Sequence, residues 1–195
     1  GHDVRTAAVA EIRNGAAKGA RNSIFIPVGT GIAAAFIIDG EIRSAEGYAG
    51  EIGHINVNGK YPCVCGKNGC LEAASSTLAI SKAYEAQSGK TGTTTEEIYK
   101  LVVAGDSVAT QVWDDATAAM ARGCETLITL LAPEVIVFGG GLSNAGETFL
   151  KPIRDYLDSS LTFQRKPRLE IAQYGAKAGT IGCAMLAFDL VKAGK

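Results

Sequence analysis

Between His54 and Cys70 this chain gathers three of its five cysteines and one of its two histidines, in the order His54, Cys63, Cys65, Cys70. Any fold that uses them together must bring four side chains to one point. Zinc takes four such donors tetrahedrally, and a Cys-x-Cys-x4-Cys loop containing Gly66 and Gly69 can bend three sulfurs around one ion. The spacing, with His54 nine residues before Cys63, points to a structural Cys3His zinc site. Four protein donors leave no open position for chemistry there. The alternatives are reduced thiols on a surface loop, or a disulfide with one thiol left over. An adjacent Cys-x-Cys pair rarely bridges to itself, and the total of five cysteines is odd. Chemistry then falls to Glu51 and Glu72, the carboxylates that bracket the loop.

At 195 residues the chain has the length of one domain, or of one large lobe of a bigger enzyme. An apolar fraction of 47% with 20% charged residues suits a globular core and excludes global disorder. A net charge of -1 without any basic run gives no footprint for nucleic acid. The most apolar run, Leu127 to Phe138, is interrupted by Pro133 and Glu134 and is too short to span a membrane. Thiols that must stay reduced, with no signal peptide read in the chain, lead to the expectation of a cytoplasmic protein. The opening Gly1-His2-Asp3, without Met and leading at once into a helical stretch, is expected of a cut inside a longer protein or a processed chain.

Asp3 precedes an Ala-rich run that ends at Asn14-Gly15, so it stands at a helix N-terminus, where a carboxylate serves as a cap. Three strands follow: 23–28, whose Pro27 suggests an edge or terminal position, then 32–38, then 41–43. Gly29-Thr30-Gly31 turns the chain between the first two and Asp39-Gly40 between the second and third, giving an antiparallel meander. Leu71 to Gln87 reads as one helix, with Leu71, Ala74, Leu78 and Tyr84 inward and Glu72 in its first turn. Thr94-x-x-Glu97 is a capping box opening a helix to Ala104, and a longer helix runs from Ser107 to Leu131, where Pro133 ends it. Its apolar positions are Val108, Val112, Ala116, Ala119, Leu127 and Leu130. Then come a buried strand 134–138 emptying into Gly139-Gly140-Gly141, a helix from about 146 to 157, a strand 169–172 and a last apolar helix 178–191. Cys124 and Cys183 sit in helices among apolar neighbours and read as core residues. The order predicts a mixed sheet with helices packed against it.

The two glycine turns each follow a strand, and such turns let backbone N–H groups approach phosphate oxygens. Neither has the lysine of a P-loop or the spacing of a dinucleotide fingerprint, so each alone is a weak signal. No Ser-His-Asp or Cys-His nucleophile arrangement is present, because His2 and His54 are the only histidines.

Gly-Glu-Ile-Gly-His at 50–54, followed by Cys-Val-Cys-Gly-Lys-Asn-Gly-Cys-Leu-Glu at 63–72, resembles the double signature of the ROK family of sugar kinases and repressors. Asp3 falls where that family has an Asn-Asp pair, Gly29-Thr30-Gly31 resembles its second phosphate loop, and Val137 to Gly141 resembles its adenosine motif. The resemblance implies the larger lobe of an actin-like, RNase H-like ATPase: an α/β fold with a mixed sheet, flanking helices and a zinc loop, residues 1–195 forming a single domain. It implies Asp3 as general base toward the 6-hydroxyl of a hexose, in a glucokinase-like reaction. Sugar contacts would come from His2, Asp3, Glu51, His54 and Glu72, and Mg-ATP contacts from Gly29, Thr30, Gly31, Gly139, Gly140 and Gly141. Zinc would be held by His54, Cys63, Cys65 and Cys70. The implied partners are hexose, ATP and a second copy in a homodimer, without nucleic acid or membrane. Three features depart from the family pattern. His2 stands where Asn is usual, the phosphate loop continues Ile32-Ala33-Ala34-Ala35 in place of glycines, and the family's first phosphate loop, of Asp-x-Gly-Gly-Thr type, is not in the chain. The other reading of the same resemblance is the sugar-sensing lobe of a ROK-type transcriptional repressor. A zinc-stabilised scaffold without ligand is the blandest reading.

Overall fold

A run of β-branched and aromatic residues, Ser23-Ile24-Phe25-Ile26-Pro27, forms strand β1 (Ser23–Pro27) at the centre of a five-stranded sheet. The structure is a computed structural model that describes residues 3–192 and 194; His2 lies outside the described residues. On one side β1 pairs antiparallel with β2 (Ala35–Ile38), which pairs antiparallel with β3 (Glu41–Arg43). On the other it pairs parallel with β4 (Val135–Gly139), itself parallel to β5 (Arg168–Ile171), so the order is β3-β2-β1-β4-β5. The meander and the mixed sheet are as expected. Asp39 and Gly40 both take positive φ, +55° and +87°, matching the right-handed twist of a tight hairpin.

The helices are α1 (Asp3–Asn14), α2 (Leu71–Ser75), α3 (Thr77–Ser88), α4 (Thr95–Val103), α5 (Ser107–Leu131), α6 (Glu147–Ser160) and α7 (Ala178–Lys192). Side chains alternate across the sheet. Ile24, Ile26, Ile136 and Phe138 join the larger core with α5 and α6, while Phe25, Val135 and Val137 join a smaller one with Ala8 of α1. Because β1 and β4 are buried on both faces, they read as continuous apolar runs. Phe138 meets Phe149 edge-on at 5.3 Å, and Trp113 donates its indole N–H to Thr148 O at 3.0 Å, joining α5 to α6. On the other face α7 lies along α1 so closely that a Cβ on Gly182 would fall 1.8 Å from Thr6 O.

Pro27 takes the terminal position, one of the two expected, and closes the central strand opposite Gly139. Several expectations are corrected. β2 starts at Ala35 rather than Ile32, since Ile32 folds back to bridge Val28 across the glycine turn. The helix expected over 71–87 is broken at Ser76, which is extended (ψ 160°) and caps α3 by accepting Ala79 N–H through its Oγ. That break shifts the helical phase, so Leu78 is exposed and Ile80 takes its place in the core. Leu130 of α5 is likewise exposed, and Cys183 lies on the outer side of α7. Cys124 is buried as expected, and burial pushes its thiol up to about 12. The capping box at Thr94 and Glu97 and the bounds of α5 are as expected.

Candidate active site

Parallel pairing of β1 and β4 carries both glycine turns to the same edge of the sheet, at the carboxyl ends of adjacent strands, where α/β proteins place ligands. Val28 N–H donates to Gly139 O at 2.9 Å, and Leu142 N–H donates back to Val28 O at 3.3 Å. Gly140 has φ +78°, and an added Cβ would lie 2.4 Å from Val28 O. A side chain there would push the two turns apart. Neither turn was persuasive alone; their juxtaposition makes one surface of small residues. The chain then coils through Gly141–Ala145, where Ser143 Oγ–H donates to Gly140 O at 2.7 Å. This turn borders a cleft of about 460 Å³ lined by Thr95, Tyr99, Lys100, Trp113, Gly141 and Asn144 among others.

The cysteine loop converges as its spacing demands. Gly66 and Gly69 both take φ +85°, and Cys63 N–H donates to Lys67 O at 2.8 Å, closing the turn. His54 Nδ1 is 3.5 Å from Cys63 Sγ, Cys65 Sγ is 3.6 Å from Cys70 Sγ, and all four donor atoms lie within 4.8 Å of one another. A tetrahedral zinc would separate sulfur from sulfur by about 3.8 Å and sulfur from nitrogen by about 3.6 Å. The donors therefore fit that ion both in kind and in spacing. Burial pushes the Cys70 thiol up to about 12, whereas the backbone N–H of Lys67 draws the exposed Cys65 thiol down. A bound cation would offset the first effect by favouring thiolate. With Nδ1 turned to the sulfurs, Nε2 of His54 is left for another partner. Lys67 Nζ donates to His54 O at 3.1 Å, tying the loop to the turn that carries the imidazole.

Glu51 and Glu72 flank this cluster in different settings. Glu51 is exposed and stands just before the short helical turn Ile52–His54. Glu72 lies in the first turn of α2, brought beside that turn because Leu71 N–H donates to Ile55 O at 3.0 Å and Cys70 bridges Asn56. Its Oε2 accepts Ile32 N–H at 2.9 Å. Thr30, Cys63 and Glu72 share a cleft of about 310 Å³ that continues along Tyr61, Leu78 and Lys82; Asp3, Glu51 and His54 do not line it. Asp3 is the first residue of α1, exposed, and its Oδ1 accepts the N–H of the next residue, Val4, at 2.9 Å.

Two residues missed in the sequence anchor the two ends of α1. Arg5 donates to Gly47 O at 2.9 Å, Ala49 O at 3.1 Å and Ser44 O at 3.3 Å, fastening the first turn of α1 to the segment that delivers Glu51. Glu11 is fully buried at the far end of α1. It accepts N–H bonds from Ala16 (2.9 Å), Gln173 (3.1 Å) and Tyr174 (2.9 Å). A charged residue in an Ala-rich helix carries no sequence signal for bonds to distant main chain, so neither role was legible.

The ROK family signature matches residues 1–189. The chain belongs to the ROK family. It is 36% identical to a glucokinase of Halalkalibacterium halodurans, over 93% of this chain and 60% of that protein. Its fold superposes on the ROK family glucokinase of Streptomyces griseus, solved in complex with glucose and AMPPNP, with a TM-score of 0.83 and 30% identity, covering 94% of this chain and 66% of that one. A ROK family transcriptional regulator, a homologue of the E. coli MLC protein, is similar at a TM-score of 0.82 and 26% identity, over 93% of this chain but 49% of the regulator. This chain therefore spans between half and two thirds of the length of these proteins. The expected fold class, an α/β lobe of the actin-like ATPase kind with a mixed sheet and flanking helices, is borne out. Among the described residues no helix is long and apolar enough to cross a membrane.

Proposed function

We propose that this chain is the sugar-reading, phosphate-holding lobe of an ATP-dependent hexose kinase, glucokinase-like, that phosphorylates the 6-hydroxyl. The observation that carries the reading is Glu72, whose carboxylate stands between the turn that carries His54 and the glycine turn at Gly31. The similarity to glucokinases, one of them solved with glucose and AMPPNP, supports it.

In this reading Asp3 accepts the proton of the attacking hydroxyl as the γ-phosphoryl arrives. Glu51, Glu72 and Nε2 of His54 bind ring hydroxyls, with His2 a further contact. Charged acceptors on neutral hydroxyls contribute about 1.5 to 3 kcal/mol each, so losing either glutamate weakens sugar binding about tenfold or more. His54, Cys63, Cys65 and Cys70 hold zinc, which supplies a fixed charge that sets one tautomer and one ring orientation of His54. The turns at Gly29, Thr30 and Gly31 and at Gly139, Gly140 and Gly141 face the phosphates and adenosine of Mg-ATP, with the cleft at Tyr99 and Trp113 beside the second turn. The five cysteines are all free, in keeping with a reducing cytoplasm, and we take the assembly to be a homodimer.

The test is ADP release by the full-length protein with glucose, mannose, fructose, allose and N-acetylmannosamine, comparing ATP with polyphosphate as donor. Turnover with a hexose is expected, and Asp3→Asn should abolish it while leaving sugar affinity within a few fold. Retained turnover in that variant removes Asp3 from the mechanism. Sugar binding without any turnover in the unaltered protein would favour the second reading, the sensing lobe of a ROK-type repressor, which the likeness to the regulator keeps in view.

A further inference from the structure

Glu72 has two carboxylate oxygens, and one is already committed: Oε2 accepts Ile32 N–H of the phosphate turn at 2.9 Å. The carboxylate is also wedged between two glycines. An added Cβ would lie 2.9 Å from Oε2 at Gly31 and 3.2 Å from it at Gly53, so the carboxylate packs against both the phosphate turn and the turn carrying His54. Ile32 O faces the same turn, 2.4 Å from where a Cβ on Gly53 would sit. The other end of the phosphate turn hangs on the same helical pair: Thr77 N–H, one residue past the break between α2 and α3, donates to Gly29 O at 2.8 Å. Gly29 and Ile32 are thus both fastened to the segment Glu72–Thr77, and the turn between them, with Thr30 and Gly31 exposed, is otherwise closed by its own Gly29 N–H to Gly31 O bond at 3.1 Å and the Val28–Ile32 bridge.

We infer that Glu72 is a positioning residue for the nucleotide phosphates as well as a sugar acceptor, and that through its shared carboxylate sugar binding and nucleotide binding are thermodynamically coupled. A hydroxyl donated to Oε1 fixes the side-chain rotamer that keeps Oε2 on Ile32 N–H. Ordering Glu72 therefore orders the turn between Gly29 and Ile32, and with it the exposed main chain of Thr30 and Gly31 that would receive phosphate oxygens. The effect is reciprocal, since a nucleotide that sets the turn presets Glu72 for sugar. Glu51 is the natural control. It belongs to the same sugar-reading group, yet it makes no hydrogen bond to the phosphate turn among the described residues.

The inference rests on the sugar-kinase reading, and the experiment separates the two. Calorimetry on the full-length protein measures the Kd of AMPPNP with and without saturating glucose. In the unaltered protein glucose is expected to tighten AMPPNP on the order of tenfold. Glu72→Ala should reduce that ratio to about one to two, measured at glucose concentrations raised to saturation. Glu51→Ala should weaken glucose comparably but keep the ratio, and Glu72→Gln, whose amide oxygen can still accept Ile32 N–H, should recover part of it. Amide exchange at residues 29–32 should slow with glucose in the unaltered protein and in Glu51→Ala, but not in Glu72→Ala. A ratio and an exchange response in Glu72→Ala equal to those of the unaltered protein overturn the coupling role while leaving the kinase reading standing. So does glucose binding that never alters AMPPNP affinity. Failure of the unaltered protein to bind any hexose removes the kinase reading, and this inference with it.

Discussion

The cysteine loop at 63–70 and the carboxylate of Glu11 are two ways of pinning irregular chain at the edge of one lobe. At the loop, four soft donors converge on a point that suits a cation, with Cys65 exposed and Cys70 buried. At Glu11 the arrangement is inverted: a buried anion collects N–H groups from Ala16, Gln173 and Tyr174, joining the end of α1 to the chain after β5. Gly15 has no side chain there because a Cβ would fall 2.3 Å from Glu11 Oε2. The difference lies in what each depends on. The loop needs an external ion to favour thiolate over thiol, whereas Glu11 is satisfied by main chain alone. One can be unloaded; the other can only be unfolded.

Removing the ion should therefore have the largest effect, confined to the site. Cys70→Ser, or chelation of the full-length protein, is expected to release stoichiometric zinc and lower sugar affinity by roughly a hundredfold or more, since His54 loses its orientation. Metal analysis together with sugar titration checks this, and sugar affinity preserved within a few fold after zinc loss would make the loop structural only. Glu11→Ala should do the reverse, leaving metal content unchanged while three part-buried N–H groups lose their acceptor. The expected loss is about 4 kcal/mol of stability, read as a lower denaturant midpoint.

A purely local cap gives the scale for comparison. Thr94→Ala should cost about 1 kcal/mol, because the capping box with Glu97 serves only the start of α4. Glu134 resembles Glu11 in form, accepting N–H from Arg21 (3.0 Å) and Asn22 (2.9 Å), but at the surface. Those N–H groups, that of Asn22 foremost, hold its pKa below the ordinary 4.5. Its stabilisation is therefore complete above 4.5 and is lost as pH falls through the lower folded value. Glu134→Gln should shift the midpoint least of the four at neutral pH and should flatten the acid limb of the stability curve. An unchanged acid limb would show that the surface staple contributes nothing.

What could be read without coordinates was whatever depends on neighbours in sequence. The donor spacing from His54 to Cys70, the Asp39-Gly40 hairpin, the capping box at Thr94 and the bounds of α5 are local chemistry, complete within a few turns of chain. The break at Ser76 was missed because its benefit is tertiary: the freed Thr77 N–H goes to Gly29 O, far away in sequence. The exposed sides of Leu78, Leu130 and Cys183 were missed for a related reason, since a helical period says which residues share a face but not whether a partner covers it. Sequence alone determined that four soft donors would meet and that glycine turns would follow two strands. Only the tertiary structure decided that those turns lie side by side, that Arg5 and Glu11 anchor the two ends of α1, and that Glu72 bonds to Ile32. Each of these is a hydrogen bond from a side chain or turn to main chain distant in sequence, and a main-chain N–H or C=O carries no residue identity for a sequence to display.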